Sequence, residues 1–363
     1  MFNSYKRRRH THELLGACIA WLTFGTALAQ TAEAPLYAPS RQFSGVIRTW
    51  GSPQMGDLLR RYEDGFHAYQ PDVRFEDQLH STITAVAGVY TGRAEIGVLG
   101  REIWPIEEQA FESVTGHAPT MVDVATGAYD VPKATFALMI FVHRSNPLAS
   151  ITTEQLERTF GGSAKPIRTW GDLGVKGSWA GHTIHLYGFT TENDKAVIFR
   201  NLVFRQKTHW SCNLREFTNG PGANGVDAGE LIVQAVAKDP YGIGISNVHY
   251  STKEVRAVPL APSATAAPIP PSRETVASRI YPLTRAVYFV LDRSADHPLS
   301  EATSEFLKYV LSRQAATDVL REGNYLPLPP KSANDERNKL RLDTDPISVT
   351  EQTEEGARTD GSK

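Results

Sequence analysis

The sequence predicts an α/β fold of two lobes built on doubly wound sheets. Three observations carry that expectation. Strand-like and helix-like segments alternate as βαβαβ over the first block of the chain. The alternation resumes after an apolar run at residues 136–142. A last strand with helices then follows, and it has the first lobe to return to. Parallel strands need crossovers, and helices supply them while covering the sheet. The 363 residues, 41% hydrophobic and 21% charged, can bury a sizeable core. No repeat of roughly 20–50 residues appears, which excludes solenoids and propellers.

In the first block, residues 46–50 read as a strand ending at Gly51-Ser52. Residues 55–69 read as a helix with Met55, Leu58, Leu59, Tyr62 and Phe66 on one face. A strand at 73–75, a short helix at 84–90, a strand at 96–100 and a helix at 107–114 complete it. In the second block, Asn146-Pro147 is a turn, Thr152 caps a helix ending at Phe160, and Trp170-Gly171-Asp172-Leu173 is a loop. A strand at 183–187, a helix at 194–204, a helix within 225–238 and a strand at 242–245 follow. Residues 261–279, with Pro268, Pro270 and Pro271, read as a long loop. A strand at 286–291 and helices at 298–311 and 313–321 close the body.

Lys6, Arg7, Arg8 and Arg9 precede an apolar run that ends in Ala27-Leu28-Ala29. This is the pattern of a signal peptide over 1–29, and the run is short for a span of ~20 residues. A lipobox-like Leu15-Gly16-Ala17-Cys18 has too little apolar chain before it to be preferred. The expected location is therefore the periplasm. Removing 1–29, which carry a net +3, turns the chain's −2 into −5. That balance excludes a non-specific nucleic-acid binder. One cysteine, Cys212, remains, so no internal disulfide forms, and it reads as a small buried residue. Residues 331–363 are polar and lack aromatics, and are expected to be a disordered tail. The expected organisation is lobe 1 over 30–135, lobe 2 over 136–245, and a return to lobe 1 over 246–330.

Several segments, in order, resemble one known family. They are Trp50-Gly51-Ser52-Pro53-Gln54-Met55, residues 92–102, Asn146-Pro147 with the helix after it, and Trp170-Gly171-Asp172-Leu173. Residues 235–244, Tyr281-Pro282-Leu283-Thr284-Arg285 and residues 323–328 continue the match. The pattern is similar to the phosphate-binding proteins of bacterial phosphate ABC importers, of the type II periplasmic-binding-protein fold. That resemblance implies two lobes joined by hinge crossovers that close on phosphate or a similar oxyanion. It implies docking on an ABC permease in the inner membrane, action as a monomer, no cofactor, no metal and no enzymatic activity. The family's glycine- and hydroxyl-rich ligand runs fall at Ser81-Thr82-Ile83-Thr84-Ala85 and at residues 189–195. In the second, Phe189 stands where the family has arginine, and Glu192 and Asp194 add negative charge.

Helix N-termini at the carboxyl ends of strands bind anions through free N–H groups. Candidate ligand residues are therefore Ser52, Ser81, Thr82, Thr190 and Asn193, with Thr191 nearby. Ser52 could instead be a helix cap alone, and the acids beside Thr190 and Asn193 argue against an anion there. Arg101 follows a strand and suits a bidentate bond to an oxyanion, or a salt bridge to an acid. His182 and His185 would point to opposite faces of a strand, against a metal site. Trp104, Trp170, Trp179 and Trp210 read as packing residues. No Walker A, Gly-x-Gly-x-x-Gly, His-Glu-x-x-His or Gly-x-Ser-x-Gly motif is present. Competing expectations are an organic ligand held by Phe189, Glu192 and Asp194, a sensing or interaction protein, and an enzyme using Cys212 or a histidine.

Overall fold

The computed structural model describes residues 33–132, 134–205, 208–221 and 225–343. The leader at 1–29, Cys18 and residues 344–363 lie outside them. The first block forms β1 (Gly45–Gly51), a 3-10 turn at Pro53–Met55, α1 (Gly56–His67), β2 (Val73–Gln78), α2 (Thr84–Tyr90), β3 (Ile96–Leu99), α3 (Pro105–Thr115) and β4 (Thr120–Thr126). The second forms β5 (Met139–His143), β6 (Ile151–Thr152), α4 (Thr153–Phe160), β7 (His185–Phe189) and α5 (Asp194–Phe199), which runs into one turn of π-helix. It continues through β8 (Leu214–Phe217), α6 (Ala228–Ala237), β9 (Gly242–Ser246), β10 (Val255–Ala257), β11 (Leu260–Ala261) and α7 (Arg273–Ala277). The chain then adds β12 (Ala286–Leu291), α8 (Glu301–Val310), α9 (Arg313–Glu322) and α10 (Pro330–Leu340).

Ten of these strands make two mixed five-stranded sheets, in the orders β2-β1-β3-β12-β4 and β10-β5-β9-β7-β8, while β6 and β11 pair parallel as a two-stranded sheet. In the first, β1 runs parallel to β2 and β3, while β12 is antiparallel to β3 and β4. In the second, β7 is parallel to β8 and β9, while β5 is antiparallel to β9 and β10. Each sheet therefore winds outward and back. Its switch point lies between β1 and β3 in one lobe and between β7 and β9 in the other. The carboxyl ends of strands at such points are where open α/β sheets bind ligands.

The cores follow the sequence pattern. Leu58, Leu59, Tyr62 and Phe66 of α1 are buried against the first sheet, with Met55 beside them. The run from Phe136 to Val142 is wholly buried, as a strand covered on both faces requires. Thr152 caps α4, accepting from the Gln155 amide at 3.0 Å, while Gln155 answers the Thr152 amide at 2.9 Å.

The chain passes between the lobes within 127–132 and 134–138 and returns at 281–285. The two passages are bonded together: Gly127 N–H donates to Arg285 O at 2.9 Å and Leu138 N–H to Leu283 O at 3.1 Å.

Four expectations are corrected. The return to lobe 1 does not begin at 246. β10 pairs with β5, and Val258, Leu260, Val276, Tyr281 and Leu283 lie in the lobe 2 core, so the return comes at β12. The stretch 261–279 holds α7, capped by Ser272. Cys212 is exposed. The tail is not disordered from 331. α10 starts on Pro330 and buries Ala333, Arg337 and Leu340, with Leu342 beyond it. Arg337 is tolerated there because it pairs with Asp343 and donates to Lys308 O at 2.8 Å.

Candidate functional site

Close backbone approach builds the lobe 1 half of the cleft. Gly51 ends β1 at φ 151°, and a Cβ there would lie 2.3 Å from the Val98 carbonyl oxygen of β3. Ser52 follows, buried, with its N–H on Val98 O at 3.1 Å and no cap bond from its hydroxyl. The Gly51 carbonyl accepts the Ser81 N–H at 3.1 Å, which sets Ser81 and Thr82 beside Ser52. Ser81 O in turn holds the Thr84 N–H and hydroxyl at the start of α2. Ser52, Ser81 and Thr82 are thus brought together.

Arg101 follows β3 but faces a partner of its own. Its two Nη atoms donate to the two carboxylate oxygens of Glu107 at 2.8 and 2.7 Å. Nη1 also reaches Glu102 O at 2.9 Å, and the guanidinium lies 4.0 Å over the Trp104 ring. The pair is almost wholly buried.

In lobe 2, Thr190 continues β7, its N–H on Phe217 O at 3.2 Å. Asn193 caps α5 by accepting from the Lys195 N–H at 2.9 Å. Glu192 is exposed and takes the Thr191 hydroxyl at 3.0 Å. Phe189 is buried in the core. Lys195 Nζ lies 5.3 Å from the centre of the Phe136 ring and 5.7 Å from that of Phe189.

Arg285, at the end of the return passage, connects the two halves. It is only 2% exposed. Its Nη2 donates to Gly100 O, just past β3, at 2.9 Å, and lies 3.8 Å from Asp194 Oδ2. The Thr135 hydroxyl donates to the same Gly100 oxygen at 2.7 Å. Asp194 also pairs with Lys195 at 3.3 Å. Burial favours its neutral form, but Lys195 and Arg285 outweigh this and hold its carboxyl below the ordinary aspartate range. The acid that the sequence set against an anion therefore sits between two cations. Arg285 and Lys195 were not among the sequence candidates. Two signals for Arg285 were available, its place in the family-like segment Tyr281–Arg285 and a basic residue immediately before a strand.

The histidines serve the far end of lobe 2. His185 Nδ1 meets Asp239 at 2.6 Å, and His182 stacks on Tyr241 at 3.9 Å. Among the described residues no group of three or more His, Cys, Asp or Glu could hold a metal. Trp170 and Trp179 pack edge to face, and Trp210 stacks on Phe199.

Two doubly wound lobes, hinged by paired passages and lined at both switch points with polar side chains, define the two-lobed binding-protein architecture. The chain belongs to the PBP superfamily, whose domain model matches residues 31–314. It is 29% identical over 338 residues to the phosphate-binding protein PstS of Pseudomonas aeruginosa, covering 90% of this chain and 98% of that protein. It is 26% identical over 208 residues to the protein SphX of Synechococcus elongatus, covering 56% and 57%. In fold it is similar to the crystal structure of PstS from Borrelia burgdorferi, with TM-score 0.53, 14% identity, and 78% and 99% of the two chains covered. It is likewise similar to an ABC-type phosphate transport receptor from Vibrio cholerae, with TM-score 0.50, 17% identity, and 77% and 99% covered.

Proposed function

We propose that this protein is an exported solute-binding protein that holds phosphate or a similar oxyanion between its lobes and delivers it to an ABC importer. The observation that carries this reading is that Arg285 spans the two lobes, bonded to Gly100 O after β3 and 3.8 Å from Asp194 at the start of α5. The near full-length similarity to a relative named as a phosphate-binding protein supports the choice of ligand. Ser52, Ser81 and Thr82 would contribute hydroxyls and amides from one lobe, and Thr190 and Asn193 from the other. Arg101, braced by Glu107, would act through charge and by fixing the loop after β3. Closure on the ligand would create the surface that an inner-membrane permease reads, with the protein acting as a periplasmic monomer. The work asked of the cleft is binding, and no covalent step is needed.

Calorimetric titration with phosphate, sulfate and arsenate tests the reading. A saturable response to phosphate is expected, and flat responses to all three overturn it. No membrane-spanning helix is found among the described residues.

A further inference from the structure

The cleft contains two arginines, and only one is satisfied. Arg101 spends both Nη atoms on Glu107 and Glu102, so recruiting it would break a buried bidentate pair. Phe189 offers hydrocarbon where a cation would be expected. Arg285 differs from both. It is buried, its nearest carboxylate is 3.8 Å away and beyond hydrogen-bond range, and its Nε–H has no partner among the described residues. An unsatisfied donor on a buried charge is costly, and natural proteins keep few of them. Lys195 stands across Asp194 from it, 16% exposed between two aromatic rings. Two cations and one carboxylate leave a net +1 where the carboxyl ends of β3 and β7 face the hinge. An oxyanion is the ligand class that would complete this set.

We propose that Arg285 and Lys195 are the charged partners of the bound oxyanion, and that the Asp194 carboxylate competes with it for both. This rests on the oxyanion reading of the cleft. Selection would then come from an internal competitor: an anion enters only if it satisfies Arg285 and Lys195 better than Asp194 does. The competitor sets a sign that a purely structural ion pair would not give. Removing the Asp194 charge should improve binding, because it frees the Lys195 ammonium, takes a competing carboxylate away from Arg285 and raises the local charge from +1 to +2.

The test is calorimetric titration of the purified protein with phosphate and sulfate, comparing wild type with Asp194→Asn, Lys195→Gln and Arg285→Gln. Thermal melting of each variant monitors the fold. Asp194→Asn should tighten phosphate by about tenfold, and Lys195→Gln should weaken it by about tenfold or more. Arg285→Gln should abolish binding. Since Arg285 is almost wholly buried, the decision rests on the two less buried positions, Asp194 and Lys195, with the melting curves checking that each variant is folded. Asp194→Asn binding no more tightly than wild type, or Lys195→Gln binding as well as wild type, overturns the assignment while the oxyanion reading stands. Wild type binding neither anion overturns that reading itself, and the assignment with it.

Discussion

Arg101 and Arg285 both lie buried beside Gly100, one as its chain neighbour and the other bonded to its carbonyl oxygen at 2.9 Å. Arg101 is matched donor for acceptor: two oxygens of Glu107 at 2.7 and 2.8 Å, one carbonyl, one aromatic face. Arg285 faces its carboxylate at 3.8 Å and keeps one N–H unpaired. Asp194 is 41% exposed, so water screens it, whereas Glu107 is not screened. Burial is common to both arginines. The difference is completeness of pairing, and it separates a strut from a group with bonding capacity to spare.

The sharpest way to break this comparison is Glu107→Ala, which strands the Arg101 charge. It is expected to cost about 3–5 kcal/mol, seen as a lower urea midpoint. Replacing both partners, Arg101→Met with Glu107→Leu, should recover most of that loss. A cost below about 1 kcal/mol for Glu107→Ala would remove the strut role.

A carboxylate repeats the contrast in lobe 1. Glu63 has a buried Oε1 without a partner among the described residues. Burial, and then the charge of Asp77, push its carboxyl up to about 8. The folded state therefore keeps a proton that the unfolded chain sheds near 4.5. Stability should fall as pH rises from about 4.5 to about 8, by an amount on the order of a few kcal/mol. Glu63→Gln should flatten that window in denaturant titrations, and an unchanged pH slope would rule Glu63 out as its source.

The smallest effect is expected at Asp194. Asp194→Asn should change stability by less than about 1 kcal/mol near neutral pH, because the side chain is partly exposed. Its folded-state carboxyl is depressed below the ordinary 3.8. Its contribution is therefore present above that value and lost as pH falls through the depressed one. Melting curves of wild type and variant should converge on acidification. A loss comparable to that of Glu107→Ala would make the two pairs equivalent.

Much of the fold is legible in the sequence because local periodicity dictates it. The α1 stripe, the Thr152 cap and the buried runs of β3 and β5 each lie within a few residues of the signal that forms them. β4, β8 and β10 are not legible. Their sequences are mixed, and they become strands because β12, β7 and β5 offer edges far away in the chain. The site divides in the same way. Ser52, Ser81 and Thr82 can be located because each follows a local strand signal. The bond from Arg285 to Gly100 spans 185 residues, and no local pattern announces it. Asp194 reads as a lone acid until Arg285 and Lys195 are placed around it.

The last helix has a consequence for solubility. β4 is the outermost strand of its sheet, and outer strands carry unpaired backbone groups that can recruit another chain. α10 lies along it, and Lys339 Nζ donates to the Met121 carbonyl of β4 at 2.6 Å. A chain ending at Pro329 would keep both sheets and the cleft but uncover that strand. It should self-associate in light scattering at concentrations where the full chain does not. Light scattering that does not differ between the two chains would show that α10 does not shield the strand.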